Sequence, residues 1–378
     1  MFTVIIPLFN KAPYIQRALD SVLAQSWPAD EIIVVNDGST DGGERIAREQ
    51  RDPRVRVIDQ PNQGVSVARN VGIAAATQPY VAFLDADDEW LPGFFERIRE
   101  MIGRFPGAGL YGTGFATVAG GRELQRYGVR PRDLLRCARA GCRNEERWPC
   151  REDANERPAF GPVDFFYVWA RGHVIHTSSM VVPRHVAQAV GGFPAGVAIC
   201  EDHEFWAKIA LARPVVLAPQ ALTRYDVGVP GQAVEYWDQG YKKTFEVLPY
   251  HRFLAEELRE VLKCGSSKVR ELVNAETGSH EHANALTNEL LAVSSFRIYC
   301  RKEFQKALLQ RLYWGNFGAL ARFYQELGLG ELKLGMLVRV CGWVSDHPAV
   351  HPAMCYLLKA LRWVRDLMQP QRAQSTQR

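Results

Sequence analysis

Short runs rich in β-branched residues alternate with helical patterns through the first 90 residues of the chain. Between the first two runs, apolar side chains recur at helical spacing from Tyr14 to Val22, and a further helix is predicted from Gly64. Strands that alternate with helices form parallel βαβ units, so the sequence predicts an α/β fold. Pro7 lacks an amide proton and is predicted to end the first strand. The predicted strands are Thr3–Pro7, Glu31–Val35, Arg54–Ile58 and Tyr80–Leu84.

Three acids directly follow the fourth predicted strand: Asp85, Asp87 and Asp88. Carboxylates at the end of a buried strand suit a divalent cation such as Mg²⁺, which prefers oxygen ligands and leaves positions for phosphate oxygens. A second polar turn, Asn36–Asp41, follows the second strand, at the edge where open α/β sheets bind ligands. Two plainer interpretations stay open. Asp87 or Asp88 could cap a helix beginning near Trp90, and the second turn could cap the next helix.

These segments together resemble the N-terminal half of the family 2 glycosyltransferases, which transfer a sugar from a nucleotide donor. The resemblance extends to about residue 225 and implies a GT-A-type fold with a mixed, mainly parallel sheet flanked by helices. It also implies an inverting enzyme that uses a divalent metal, Mn²⁺ or Mg²⁺. The matching segments, in the family's order, are Val4–Asn10, Asn36–Asp41, Ala68–Gly72 and Asp85–Asp88.

The resemblance assigns roles on the donor side of the expected site. Asp37 and Arg69 are expected to contact a uracil base, Asp85 the nucleoside, and Asp87 the metal. An arginine that only faces solvent on a helix surface is the plainer alternative for Arg69. Asn36 stands where the family often has Asp, so one base or ribose contact differs. The full expected nucleotide-binding set is Pro7, Phe9, Asp37, Arg69, Asp85 and Ala86.

On the acceptor side, the resemblance implies a catalytic acidic pair, Glu201 and Asp202. The pair follows a strand-like run, Ser178–Val182, and a Gly-Gly-Phe turn at Gly191–Phe193. Asp202 is the expected general base, a role that typically contributes ~10²–10⁴ in rate. The metal would stabilise the departing diphosphate on the opposite side of the sugar. A helix N-terminus that favours acids through its dipole is the plainer alternative for the pair.

Other residues and other functions remain open. His176 and Glu204 are the next candidates for the base. A sugar nucleotidyltransferase would also use an α/β sheet and Mg²⁺, but it normally carries a Gly-rich loop with Arg, which Val4–Lys11 lacks. A catalytically inactive nucleotide-sugar-binding module would be expected to lose acids, whereas Asp87 and Asp202 are both present.

Composition and charge favour a globular enzyme. The chain has 378 residues, of which 47% are hydrophobic and 23% charged, so it can bury a sizeable core. No signal-peptide pattern and no long uncharged apolar run are visible, so the expected location is cytoplasmic or peripheral on the inner face of the plasma membrane. The expected partners are a UDP-sugar donor and a bacterial surface glycan or lipid-linked acceptor. Without a recognised binding motif, the basic balance does not indicate nucleic acid.

The expected organisation is a catalytic domain over residues 1–225 and a helical C-terminal extension over residues 226–378. Within the domain we expect a nucleotide-sugar half (1–118), an inserted loop (119–160) and an acceptor half (161–225). Cys137, Cys142 and Cys150 in the insertion match no paired zinc pattern, which favours free thiols. Arg297–Arg378 has thirteen Lys and Arg against five Asp and Glu, a net +8. Helices on an anionic membrane and an ordinary helical cap both fit this segment.

Overall fold

The computed structural model describes residues 1–131, 133–134, 159–197, 199–230 and 252–257. The chain divides into two compact units. All elements named below lie in the first unit, and residues 252–257, which are helical, lie in the second. Among the described residues, no helix is long and apolar enough to cross a membrane.

The first unit contains ten described strands, all in one sheet, and seven described helices. A 3₁₀ turn, Thr177–Ser179, precedes the ninth strand. The strands are β1 Phe2–Leu8, β2 Glu31–Asp37, β3 Val55–Gln60, β4 Tyr80–Phe83, β5 Glu89–Trp90, β6 Leu110–Ala119, β7 Arg122–Tyr127, β8 Gly161–Val163, β9 Met180–Pro183 and β10 Val215–Asp226. The helices are α1 Ala12–Leu23, α2 Gly43–Arg48, α3 Val65–Ala75, α4 Phe94–Arg104, α5 Phe165–Trp169, α6 Arg184–Ala189 and α7 Glu201–Ala212.

The sheet order is β3-β2-β1-β4-β9-β6-β10-β5, with β7 beside β6 and β8 beside β10. Strands β1, β2, β3, β4, β6 and β10 run in one direction, and β5, β7, β8 and β9 run against them. The predicted α/β class, with a mixed and mainly parallel sheet flanked by helices, is therefore confirmed. All six strands of the first group have their carboxyl ends at the same edge.

Strand β1 is buried along its whole length, as expected for a central strand of a parallel sheet. Helix α1 packs the apolar side predicted from its periodicity against this sheet, burying Ile15, Ala18, Leu19 and Val22. Each of Ile15, Leu19 and Val22 contributes roughly 1.5–3 kcal/mol on full burial. Gly72 of α3 lies against Ile5, and a Cβ at this glycine would overlap the Ile5 Cγ2 atom. Glycine therefore lets α3 lie directly on β1.

The prediction that β1 ends at Pro7 is wrong. The strand continues to Leu8, and Pro7 is paired with Val35 of β2. Odd-numbered residues of β1 direct their backbone groups towards β4, because the Leu84 amide donates to the Ile5 carbonyl. Pairing with β4 ends at Ile5, so the missing amide of Pro7 breaks no bond of the sheet.

The segment predicted as an inserted loop, residues 119–160, begins with a strand instead. Strand β7 pairs antiparallel with β6 through a tight turn at Gly120 and Gly121, where φ is 55° and 78°. Two consecutive positive φ angles suit a two-residue hairpin turn and favour glycine. The three cysteines of the insertion lie outside the described residues, as does most of the predicted extension. The domain limits of the extension and the role of its basic segment remain predictions.

Candidate active site

Polar side chains from distant parts of the chain meet at the carboxyl edge of the sheet. The turn after β4 carries Asp85–Asp88, and β10 ends at Asp226 beside it. Strand β9 runs the opposite way, so the residues just before it, Thr177–Ser179, lie at this same edge. The N-terminus of α7 brings Glu201 and Asp202. The edge where open α/β folds bind ligands is therefore lined with acids.

Ser178 fixes the conformation of the acidic turn. Its hydroxyl donates to Asp88 Oδ2 at 2.5 Å and accepts from the Asp85 amide at 3.0 Å. The other oxygen of Asp88 accepts from the Asp226 amide at 3.3 Å. Asp88 thus holds the turn to the end of β10 and caps no helix here. The next helix, α4, begins later and has Gly93 at its N-cap with no side-chain cap bond.

Asp85, Asp88 and His176 form a group that could hold a cation, since their ligand atoms all lie within 4.8 Å of one another. Burial, followed by the charges of Asp85 and Asp87, raises the pKa of Asp88 well above its ordinary value. Burial also lowers the pKa of His176, so the imidazole is neutral at pH 7; its Nδ1 atom accepts from the Ser178 amide at 3.3 Å and lies 3.5 Å from Asp88 Oδ2. Carboxylates with a neutral imidazole suit a borderline divalent ion such as Mn²⁺.

Asp87, the metal ligand expected from the resemblance, lies on the same turn but outside that group. Its Oδ2 atom is 2.9 Å from the Lys11 ammonium, which follows β1. Arg17 of α1 donates to the Asp87 carbonyl and pairs with Asp226 at 2.9 Å. Two cations therefore hold Asp87 and the end of β10 against the start of α1.

Arg69 joins the acids of the turn after β4 to those at the start of α7. Its Nη2 atom is 2.7 Å from Asp85 Oδ1, and its Nη1 atom is 2.9 Å from Glu201 Oε1. The guanidinium also lies over the Phe193 ring, 5.0 Å from its centroid, and the side chain is only 4% exposed. Burial alone would raise the pKa of Asp85, but the charge of Arg69, its hydrogen bond and other nearby positive charge together outweigh burial, and that pKa lies below its ordinary value. The solvated-surface alternative for Arg69 is therefore wrong.

Two hydrogen bonds hold the Asp202 carboxylate in place. Its Oδ1 accepts from the His203 amide at 2.8 Å and its Oδ2 from the Thr177 hydroxyl at 3.3 Å. Burial raises the pKa of Asp202, although the charge of Arg69 opposes the shift. Burial and the charge of Asp202 likewise raise the pKa of Glu201. Both acids also begin α7, so the helix-dipole interpretation applies to them as well.

Asn70, next to Arg69, makes a second attachment to the acceptor half. Its Oδ1 accepts from the Phe193 amide at 2.8 Å and its Nδ2 donates to the Phe193 carbonyl at 2.7 Å. Gly192 has φ +68°, and a Cβ there would overlap the Asn70 carboxamide oxygen. The Gly-Gly-Phe turn therefore needs glycine both for its backbone and for the close approach of Asn70.

The family model described as Glycosyl transferase family 2 matches residues 3–151. Residues 3–151 are thus similar to the family 2 glycosyltransferases, as the sequence predicted. The uncharacterized glycosyltransferase YibD of Escherichia coli K12 is 48% identical over 101 residues, which are 26% of this chain and 29% of YibD. TuaG of Bacillus subtilis, named for teichuronic acid biosynthesis, is 41% identical over 105 residues, 27% of this chain and 42% of TuaG. The chain thus spans less than half the length of these curated relatives.

A solved structure covers much more of the chain. The crystal structure of S. aureus TarS residues 1–349 in complex with UDP-GlcNAc has a TM-score of 0.57 and 17% identity. The match covers 94% of this chain and 88% of the TarS chain. At this identity the likeness establishes the fold, which is of the GT-A type.

The nucleotide-binding residues expected from the resemblance lie at or near the same edge. Pro7 and Ala86 are buried and Phe9 is 46% exposed. Asp37 is engaged in a loop, since its carboxylate accepts from the Gln63 amide at 2.8 Å and the Gly64 amide at 2.9 Å. Asp37 thus orders the loop before α3. The Asn36 side chain accepts from the Ser39 amide, as in the Asx turn considered from sequence.

Several participants were not identified from the sequence. The pairing of Lys11 with Asp87 joins residues that follow neighbouring strands, and only the sheet order brings them together. His176 was considered as a base rather than as a cation ligand, and Asp88 was given no role of its own beyond its place among the three acids or as a helix cap. Thr177 and Ser178 carry no chemical signal in the sequence. The antiparallel direction of β9, which places all three of residues 176–178 at this edge, would have revealed them.

Proposed function

We propose that the chain is an inverting glycosyltransferase that moves a sugar from a nucleotide sugar to a hydroxyl of a bacterial surface glycan or lipid-linked acceptor. The observation that carries this proposal is the buried Arg69, whose two ion pairs bring the turn after β4 and the start of α7 together. Transfer needs a site for the leaving diphosphate beside a base for the incoming hydroxyl. The acids on the two sides of Arg69 supply candidates for both.

Asp202 is the proposed general base. A carboxylate whose pKa is raised by burial, as that of Asp202 is, is a stronger proton acceptor. The Thr177 hydroxyl and the His203 amide fix the direction of its lone pairs. Proton removal there lets the acceptor oxygen attack the anomeric carbon from the side opposite the diphosphate. One such displacement inverts the anomeric configuration.

A UDP-sugar is the proposed donor. TarS was crystallised with UDP-GlcNAc and with UDP, which supports a uridine nucleotide on the same fold. Asp37, with its loop at residues 63–64, is the proposed base-recognition region, and Asp85 the proposed nucleoside contact. Asp87 is the proposed metal ligand, with Asp85, Asp88 and His176 as the neighbouring group able to hold the ion. When bound, a divalent cation supplies charge stabilisation to the leaving diphosphate.

A cell-surface polymer is the proposed acceptor class. TuaG is named for the biosynthesis of such a polymer, which supports this choice. We propose that the enzyme works in the cytoplasm or on the inner face of the plasma membrane. The net +8 charge of Arg297–Arg378 supports attraction to an anionic surface, where each basic residue contributes about 1 kcal/mol.

Substitution of the acidic pair tests this function. Asp202→Asn keeps the size of the side chain but cannot accept a proton, so we expect transfer to fall ~10²–10⁴-fold while UDP binding, measured by calorimetry, persists. Glu201→Gln is the matched control. If it abolishes transfer while Asp202→Asn remains active, the roles within the pair are reversed. Full activity of both variants would move the base elsewhere, with His176 or Glu204 next to be tested.

Product stereochemistry provides an independent criterion. An α-linked donor should give a β-linked product, as determined by NMR. Retention of configuration would contradict the single-displacement mechanism even if both variants were inactive. A wild-type protein that binds UDP-sugars but transfers nothing to any acceptor would instead indicate a binding module.

Metal dependence is tested by removing the ion. We expect EDTA to abolish UDP release and added Mn²⁺ to restore it. Asp87→Asn and His176→Ala then identify the ligands, because loss of Mn²⁺ affinity in one and not the other shows which residue holds the ion. Full activity in EDTA would reject the metal role.

A further inference from the structure

Lys11 occupies a position where a cation at Asp87 would otherwise lie. Its Nζ is 2.9 Å from Asp87 Oδ2 and donates to the Pro230 carbonyl at 2.8 Å. The side chains of Lys11 and Asp87 are only 12% and 9% exposed, so water screens the pair weakly. The ammonium is thus held between the acidic turn and the segment after β10.

The turn before α1 keeps Lys11 at this place. Asn10 has a positive φ of 51°, and its side-chain oxygen accepts from the Thr40 amide at 2.8 Å. The Ala12 amide, on the other side of Lys11, donates to Asp41 at 2.8 Å. Because both neighbours of Lys11 are bonded to the turn after β2, the backbone position of the lysine does not depend on its own ion pair.

An ammonium and a divalent cation beside the same carboxylate repel each other. A cation that enters the acidic turn of the nucleotide-free protein must work against the charge of Lys11 or displace it. A nucleoside diphosphate carries enough negative charge to interact favourably with both. Binding of the nucleotide should therefore remove the electrostatic penalty on cation binding. By thermodynamic linkage, the cation should raise the affinity for the nucleotide by the same factor.

From this geometry we propose that Lys11 couples the binding of the divalent cation to the binding of the nucleoside diphosphate, keeping cation affinity low until the donor arrives. The proposal rests on the proposed function, since it presumes a diphosphate at this edge. Lys11 acts as a positioning residue for Asp87 in the free protein. Once the nucleotide binds, the ammonium pairs with a phosphate oxygen.

The test measures Mn²⁺ binding by electron paramagnetic resonance, with and without saturating UDP, in the full-length protein. In the wild type we expect UDP to raise Mn²⁺ affinity by a factor within the usual coupling range of about 5–150. Lys11→Met should bind Mn²⁺ more tightly without UDP, so that the enhancement by UDP falls at least about fivefold. Lys11→Arg keeps the charge and should retain the enhancement.

Arg56→Met is the matched control. Arg56 pairs with Glu31 at 2.9 Å, at the amino end of β2, so this variant loses the same charge far from the acidic turn. Its Mn²⁺ affinities should equal those of the wild type. If the enhancement of Mn²⁺ affinity by UDP falls as much in Arg56→Met as in Lys11→Met, the effect depends on net charge alone and the proposal is overturned.

Three further results would overturn the proposal. The first is an unchanged enhancement in Lys11→Met. The second is loss of folding, seen by circular dichroism, in both Lys11→Met and Lys11→Ala, which would make the ion pair a structural requirement. The third is absence of Mn²⁺ binding in every wild-type sample, which would also remove the metal role from the proposed function. If the wild type transfers sugar, but UDP raises the Mn²⁺ affinity of Lys11→Met as much as that of the wild type, only the coupling is refuted.

Discussion

Replacement of Arg69 by Met is expected to destabilise the folded protein by about 3–5 kcal/mol, the usual effect of removing one member of a buried ion pair. Arg69 is 4% exposed and bonds to Asp85 and Glu201, whose side chains are 24% and 12% exposed. A hydrogen bond to a charged group contributes about 1.5–3 kcal/mol, so two such bonds give a similar total. Methionine fills much of the volume but leaves two carboxylates without their counter-ion.

Urea unfolding at pH 7 in EDTA measures this loss directly. Arg69→Met with Glu201→Gln should lose less than the sum of the single changes, because the second removes one of the stranded charges. Arg224→Met is a suitable control. Arg224 pairs with Glu89 but is 46% exposed, so its loss should stay within about 1 kcal/mol.

The stability lost in Arg69→Met should depend on pH in a definite direction. The pKa of Asp85 is depressed in the folded protein, so its ion pair contributes stability above the pKa of the unfolded state. That contribution is lost as pH falls through the folded-state pKa. The difference between wild type and Arg69→Met should therefore shrink as pH is lowered from 7 into the acid range. A difference below about 1 kcal/mol at pH 7, or one that grows on acidification, would refute the account of Arg69 as a buried counter-ion.

Two further predictions concern the acceptor half. Gly192→Ala should lower the free energy of unfolding by about 1–3 kcal/mol, since it adds a clash with Asn70 to an unfavourable φ. Gly196→Ala, at φ +74° with open space around the added methyl group, should lower it less. Equal losses for the two variants in urea unfolding would show that the clash contributes nothing. The Thr177 hydroxyl lowers the pKa of Asp202, so Thr177→Val should raise that pKa. The acid limb of the kcat/KM profile should then move to higher pH, and an unmoved limb would contradict the assignment of Asp202 as the base.

The parallel half of the fold could be predicted because each of its signals is local. Apolar runs and helical spacing identified β1 to β4, α1 and α3, and the acids after β4 indicated the ligand-binding edge. The continuation of β1 through Pro7 could not be predicted, since it depends on where β4 stops pairing. Strand β7 has exposed, largely polar side chains, so its sequence resembles that of a loop.

The chemistry of the site was harder to predict than the location of its acids. The sequence placed Arg69 and Asp85 near each other along the chain, but Glu201 is 132 residues from Arg69 and meets it only through tertiary packing. Likewise, the backbone geometry within the four residues Asp85–Asp88 decides which acid of the turn faces Lys11 and which faces Ser178. Side-chain direction at such a turn has no periodicity for sequence analysis to detect.

The adjacency of Arg69 and Asn70 on α3 has an evolutionary consequence. One residue pairs with Glu201 and the next bonds to the backbone of Phe193, so two attachments of residues 161–225 lie within about 1.5 Å of helix rise. Segments elsewhere can lengthen or diverge without changing the spacing between the two sets of acids. A lineage carrying this domain could therefore change those segments while the two sets of acids kept their relative positions.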